Sequence, residues 1–243
     1  MRPLSASELL SVWERGWAQR PAQRALILLE AAFPETDLEV LAELPIGQRD
    51  DRLLRLREWT FGRQLVSLTI CPSCGERLEL SFNVDEIRVT PGQEPKGELS
   101  VKAADYEVRF RLPNSLDLLV LPEGEGMEGW RLLLQRCMLT AHLNGEACGA
   151  EQLPAEVVTA IAAQMAETDP QADVHLALSC PACSHEWEVL FDIVSFFWME
   201  IQAWAYRLIC EVHALASAYG WSEADVLAMT PLRRQLYLDM VGG

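Results

Sequence analysis

Cys71-Pro72-Ser73-Cys74 and Cys180-Pro181-Ala182-Cys183 are the residues of this chain whose types and spacing can do chemistry. In each pair two thiols sit one tight turn apart, within reach of the same metal ion. Two such pairs supply the four thiolates of a structural zinc site. Proline at the first linker position suits that turn. Gly75, which follows the first pair, is free to take a positive φ and let backbone N–H groups point at sulfur; Ser184 holds the equivalent place after the second. The expected chemistry is one Zn2+ held by Cys71, Cys74, Cys180 and Cys183 for structure, since four thiolates leave no open position for water. Three other arrangements stay open: a redox Cys-Pro-x-Cys, a ribbon that binds no metal, and two sites shared between subunits or completed by His175 or His185.

The elements around the pairs favour the first arrangement. SLTICPSCGERLELSF and LALSCPACSHEWEVLF share one layout: an apolar strand, a knuckle, then an alternating strand. A redox knuckle opens a helix instead. The two halves would face each other as a zinc ribbon, although 105 residues (Gly75 through Ser179) separate the pairs. That segment is expected to be an insertion between the ribbon halves. It holds a loop over Thr90–Gly97, a hairpin from Glu98–Lys102 and Tyr106–Leu112, and a helix after Pro113 capped by Ser115. A loop over Glu123–Gly129 follows, then helices over Trp130–His142 and Pro154–Ala166.

Before the first knuckle the pattern is helical. Ser5 and Glu8 have capping-box form, Pro21 suits the first turn of a second helix, and Thr36–Glu39 has capping-box form again. A helix over Gln48–Thr60 carries Arg49, Arg52, Arg55 and Arg57, expected on a solvated face beside Asp50, Asp51 and Glu58. After the second knuckle, apolar residues from Phe197 to Tyr219 recur every three or four positions. This predicts one helix over Ile193–Tyr219, capped by Gly220, with shorter helices after Ser222 and Thr230. The fold class expected is α+β, mostly helical, with a split four-Cys ribbon, the insertion and a long C-terminal helix. The divisions are 1–62 (helical), 63–192 (ribbon halves with insertion) and 193–243 (helical).

Composition excludes several function classes. With 36 acidic and 20 basic residues the net charge is −16, a surface that repels phosphate backbones and anionic membranes. No nucleic acid and no membrane are expected as partners. The N-terminus lacks a signal-peptide core, and Ile193–Ile209 is broken by Glu200, Gln202 and Arg207. A cytoplasmic protein with reduced thiols is expected. Cys137 and Cys210 read as small buried apolar residues. HExxH, the zinc deaminase signature, a P-loop, a dinucleotide-binding glycine pattern and GxSxG are all missing, so no catalytic residues are assigned.

Four blocks carry a resemblance: RLPNSLDL (Arg111–Leu118), WRLLLQRCML (Trp130–Leu139), CPACSHEWEVLFDIVSFFW (Cys180–Trp198) and Glu211–Val241. They resemble the baseplate-protein family of T-even-type contractile phages and of phage-tail-like contractile injection systems, most closely over the C-terminal two-fifths. The resemblance implies a non-enzymatic part or assembly factor of a baseplate or hub. Its partners would be baseplate, hub or spike proteins, and the four paired cysteines its metal ligands. Trp198, Trp204, Tyr206, Tyr219, Trp221 and Tyr237 crowd the C-terminal helices, where most are expected in the core and some at a partner surface. The alternative function is a zinc-ribbon regulator of nucleic acid or the transcription machinery. That role wants clustered Lys and Arg beside the knuckles, whereas Arg77 and Arg88 stand among Glu76, Glu79, Asp85 and Glu86.

Overall fold

The computed structural model describes residues 1–89, 97–122 and 127–242. Most of the loops expected over Thr90–Gly97 and Glu123–Gly129 lie outside the described residues. The chain is α+β. It begins with α1 (Ala6–Gly16), α2 (Pro21–Ala32), α3 (Leu38–Ala42) and α4 (Ile46–Phe61). A hairpin of β1 (Gln64–Ile70) and β2 (Arg77–Asn83) follows, then one turn of helix, α5 (Val84–Ile87). The inserted segment holds β3 (Leu99–Ala103), β4 (Tyr106–Phe110), α6 (Ser115–Leu119), α7 (Met127–Cys137), β5 (Met138–Leu143), β6 (Glu146–Ala147) and α8 (Ala155–Thr168). A second hairpin, β7 (His175–Ser179) and β8 (Glu186–Leu190), leads into α9 (Ile193–Tyr219), α10 (Glu223–Leu227) and α11 (Pro231–Gly242).

Local chemistry sets the ends of these helices. The Ser5 side chain accepts from the Glu8 N–H while Glu8 reaches back to the Ser5 N–H, the reciprocal box expected. Asp192 caps α9 by accepting from the Val194 N–H at 2.9 Å, and Gly220 closes it in the left-handed region at φ 71°. Two caps differ from expectation. Asp37, not Thr36, holds the N-cap of α3, and its side chain makes no capping bond. Asn114, not Ser115, caps α6: it has the extended backbone of an N-cap, and its Oδ1 accepts from the Asp117 N–H at 3.2 Å.

Two cores result. The larger packs α1, α2 and α4 against the first half of α9, through Leu28, Leu53, Leu56, Phe197 and Ile201, all inaccessible to solvent. Residues far apart in the chain therefore share one interior. Gly16 permits this approach, since a Cβ there would overlap the Trp198 ring. Arg24 lies 4.6 Å over the same ring and donates to the Gly16 carbonyl at 3.0 Å. The second core belongs to the insertion, where Val108, Phe110, Cys137, Val157 and Ile161 meet between the sheet β3-β4-β5-β6 and helices α7 and α8.

The helix expected over Trp130–His142 is a correction: it stops at Cys137, and Met138–Leu143 becomes β5, antiparallel to β4. Residues Met127–Gly129, expected in a loop, already belong to α7. The open edge of β4 gains a ladder from β5 that a longer helix would forgo, and tertiary pairing overrides the helical propensity of MLTAHL. The arginine face of α4 is corrected in part: Arg55 is exposed and Arg52 half-buried, as a solvated face requires. Arg49, Asp50 and Arg57 are buried, with Arg57 only 2 % exposed. Its Nε donates to Glu200 Oε2 at 2.8 Å and its Nη1 to the Gly62 carbonyl at 2.8 Å, tying α4 to α9. Burial pushes the Asp50 carboxyl up to about 6 despite Arg49 at 2.7 Å. Cys137 is buried as expected, but Cys210 is exposed on α9 beyond the larger core.

Candidate metal centre

Both knuckles are built the same way. Each ends a strand and turns tightly: the Gly75 N–H donates to the Cys71 carbonyl at 3.0 Å and the Ser184 N–H to the Cys180 carbonyl at 2.8 Å. Each is then zipped to its hairpin, Cys71 N–H to the Glu76 carbonyl at 2.9 Å and Cys180 N–H to the His185 carbonyl at 2.9 Å. Gly75 takes φ 77° and Ser184 takes φ 55°. The serine thus adopts the left-handed conformation a glycine adopts at no cost, and the two turns superpose in kind despite the difference in residue. Neither turn opens a helix: β2 and β8 follow them.

The hairpins bring the four cysteines together within this single chain. All four sulfurs lie within 4.8 Å of one another. Cys71 Sγ is 3.7 Å from Cys183 Sγ, and Cys74 Sγ is 3.6 Å from Cys180 Sγ. A disulfide needs about 2.05 Å. Sulfurs each about 2.3 Å from one tetrahedral ion stand about 3.8 Å apart, so the donor set and its spacing fit a zinc-sized ion. Cys71 and Cys180 are buried, packed with Leu78 and Trp187, while Cys74 and Cys183 face solvent. His185 does not complete the cluster; its ring stacks on Trp187 at 5.8 Å. His175 pairs with Asp173 at 3.0 Å.

The electrostatics of the cluster show the same readiness. Burial opposes ionisation of the Cys71 thiol, but the Cys74 and Ser73 N–H groups aimed at its sulfur bring it down to about 7. The Glu76 N–H favours ionised Cys74, yet the Cys183 thiol, burial and the other thiols push it up to about 12. One thiolate therefore opposes ionisation of the next, and a cation held by all four sulfurs would displace protons.

A second polar centre, absent from sequence expectations, organises the insertion. Asp117 is fully buried and takes Arg111 Nη1 at 2.6 Å, Arg111 Nη2 at 2.9 Å, Arg136 Nε at 2.9 Å and the Asn114 N–H at 3.1 Å. Burial works against its charge, but Arg111 foremost outweighs it and holds the carboxyl below its ordinary value. Its thiol neighbour Cys137 is pushed up to about 12 by burial and by Asp117, which leaves it unreactive. The capping-box form of Asn114-x-x-Asp117 was the signal available in the sequence.

Fold and cluster together define an α+β protein whose two cysteine knuckles close on each other across a large insertion. The chain belongs to the family of the T4 bacteriophage base plate protein, whose sequence profile matches residues 24–198. That span takes in most of the N-terminal helices and ends at Trp198, so the family match does not lie chiefly in the C-terminal two-fifths as the resemblance suggested. No curated protein and no solved structure matches the chain. Among the described residues no helix is long and apolar enough to cross a membrane.

Proposed function

We propose that this chain is a non-enzymatic structural or assembly component, chaperone-like in the latter case, of a contractile phage-tail-like baseplate or hub. It acts through protein–protein contacts and is held together by structural zinc on Cys71, Cys74, Cys180 and Cys183. The family match over residues 24–198 carries the reading. The four-sulfur cluster supports its zinc part: when bound there, the ion supplies cross-linking rather than reaction chemistry, because the thiolates fill its coordination. The residues around it supply the rest. Pro72 and Pro181 shape the turns, and N–H groups satisfy the sulfurs.

Two measurements test this. The tagged chain should co-purify with baseplate, hub or spike proteins from cells assembling the tail; recovery without any tail protein refutes the assembly role. Metal analysis should find about one zinc per chain. Cys71→Ser and Cys180→Ser should each lower metal content and thermal stability together. A variant that keeps full zinc on the other knuckle refutes the shared site.

A further inference from the structure

The last helix has one anchored face and one bare face. On the inner side of α11, Arg234 is buried and donates to Glu211 Oε2 at 2.9 Å and to the Met229 carbonyl at 2.9 Å, while the Tyr237 ring meets Trp221 edge-on at 4.8 Å. These contacts fix how the helix is turned. On the outer side Leu232, Leu236 and Met240 recur every four residues and are 72 %, 53 % and 68 % exposed. Side chains at that spacing follow one another along a single helix face, and contiguous apolar surface in water marks a contact. The stripe lies beyond residues 24–198, so the family match assigns nothing to it.

The order of residues along α11 selects the occupant. Leu232 and Met240 stand four residues to either side of Leu236, and Arg233 and Asp239 stand three to either side. Two copies of α11 laid antiparallel across a two-fold axis at Leu236 therefore set Leu236 against itself, Leu232 against Met240, and Arg233 level with Asp239. A register moved by one turn leaves an apolar residue without a counterpart, and a parallel pair sets Arg233 level with Arg233. Neither Arg233 nor Asp239 has an ion pair among the described residues; Arg233 lies over the Tyr237 ring and Asp239 accepts from the Gln235 amide at 2.8 Å. Local charge permits the approach. Residues 201–243 hold Arg207, Arg233 and Arg234 against Glu211, Glu223, Asp225 and Asp239, so nearly all of the net charge of −16 lies elsewhere in the chain.

We propose that α11 pairs with α11 of a second copy, antiparallel about Leu236, making the chain a homodimer. Two helices each about 18 Å long bury less than the roughly 1,200 Å² of a standard interface, so the dimer should form at about micromolar concentration and above. The pairing does not depend on the baseplate reading.

Sedimentation equilibrium of the purified full chain, from about 1 to 300 μM, should show monomer and dimer exchanging. Leu236→Asp sets two carboxylates on the axis and should weaken association by more than about ten-fold, as loss of an interface anchor does; Met240→Glu should weaken it too. Arg233→Asp and Asp239→Arg should each weaken it about two- to five-fold, the scale of exposed pairs, and the double variant should recover most of that loss. All four positions are exposed, so the unfolding temperature of dilute protein should hold. A photo-crosslinking residue at position 232 should give a covalent dimer joined to the peptide around Met240. A monomer at every concentration, or a dimer indifferent to Leu236→Asp, overturns the proposal. A link from position 232 to position 232 of the second copy, or no recovery in the double charge variant, overturns the antiparallel register. In cells, links from position 232 to another protein or to lipid in place of a second copy overturn the homodimer.

Discussion

Arg57 and Glu200 join α4 to α9, and the two ends of that ion pair should not be equally replaceable. Arg57 is 2 % exposed at its side chain and Glu200 is 26 % exposed. The guanidinium lies in the larger core near Phe196, 5.7 Å from its ring centre, and spends three hydrogen bonds on Glu200 and the Gly62 carbonyl. Glu200→Gln strands that cation: it stays buried, loses its counter-charge and faces an amide with only one acceptor. An uncompensated buried charge of this kind costs about 3–5 kcal/mol. Arg57→Met keeps the apolar packing and leaves Glu200, which can turn to water. The loss is then nearer about 1–2 kcal/mol, the desolvation cost of the orphaned Gly62 carbonyl plus the lost pair. The double variant removes the stranded charge and should recover part of the Glu200→Gln loss. Urea titration at pH 7, followed by tryptophan fluorescence, measures all three. If Glu200→Gln proves less costly than Arg57→Met, burial of the cation is not what makes this pair matter, and the reasoning fails.

Three further outcomes are expected. Gly75→Ala should destabilise the first knuckle by about 1–2 kcal/mol and Ser184→Gly should stabilise the second by about 1 kcal/mol, since both positions hold positive φ; zinc-chelator resistance reads both, and equal effects of one sign would refute the argument. Asp117→Asn should cost about 3 kcal/mol at pH 7 by breaking a buried ion network. The folded pKa of Asp117 lies below its unfolded value, so its contribution is present above about pH 4 and lost as pH falls through the folded value. The gap in urea midpoint between Asp117→Asn and the parent should therefore narrow below pH 4, and a gap constant from pH 7 to 3 would count against a charged Asp117. Limited proteolysis of a chain ending at Ser179 should spare the insertion and cut within α1–α4, because only the insertion holds its core complete.

Much of the fold was legible because the signals were local. The bounds of α9 followed from its apolar period and Gly220, and the two hairpins followed from alternation on either side of the knuckles. The approach of the four cysteines was legible too, because thiol pairs at that spacing have few uses. What the sequence did not disclose depends on partners distant in the chain. Met138–Leu143 is a strand only because β4 offers it an edge. Arg57 is buried only because Glu200, 143 residues later, receives it. Cys210 is exposed because it lies two residues on from Leu208, off the face of α9 that Leu208 and Leu215 bury. The aromatic region divides similarly: Trp198 is buried, while Tyr206 and Tyr219 stay 49 % and 39 % exposed.

The separation of the knuckles also sets an order of events during synthesis. At about 5–20 residues per second, Cys71 and Cys74 wait roughly 5–20 s after leaving the ribosome before Cys180 and Cys183 follow. The N-terminal helices wait with them, because the first half of α9 completes their core. The insertion, with an interior of its own, need not wait. The middle of the chain is thus set to fold before either end, and arrival of the second knuckle closes the ring around a part already finished.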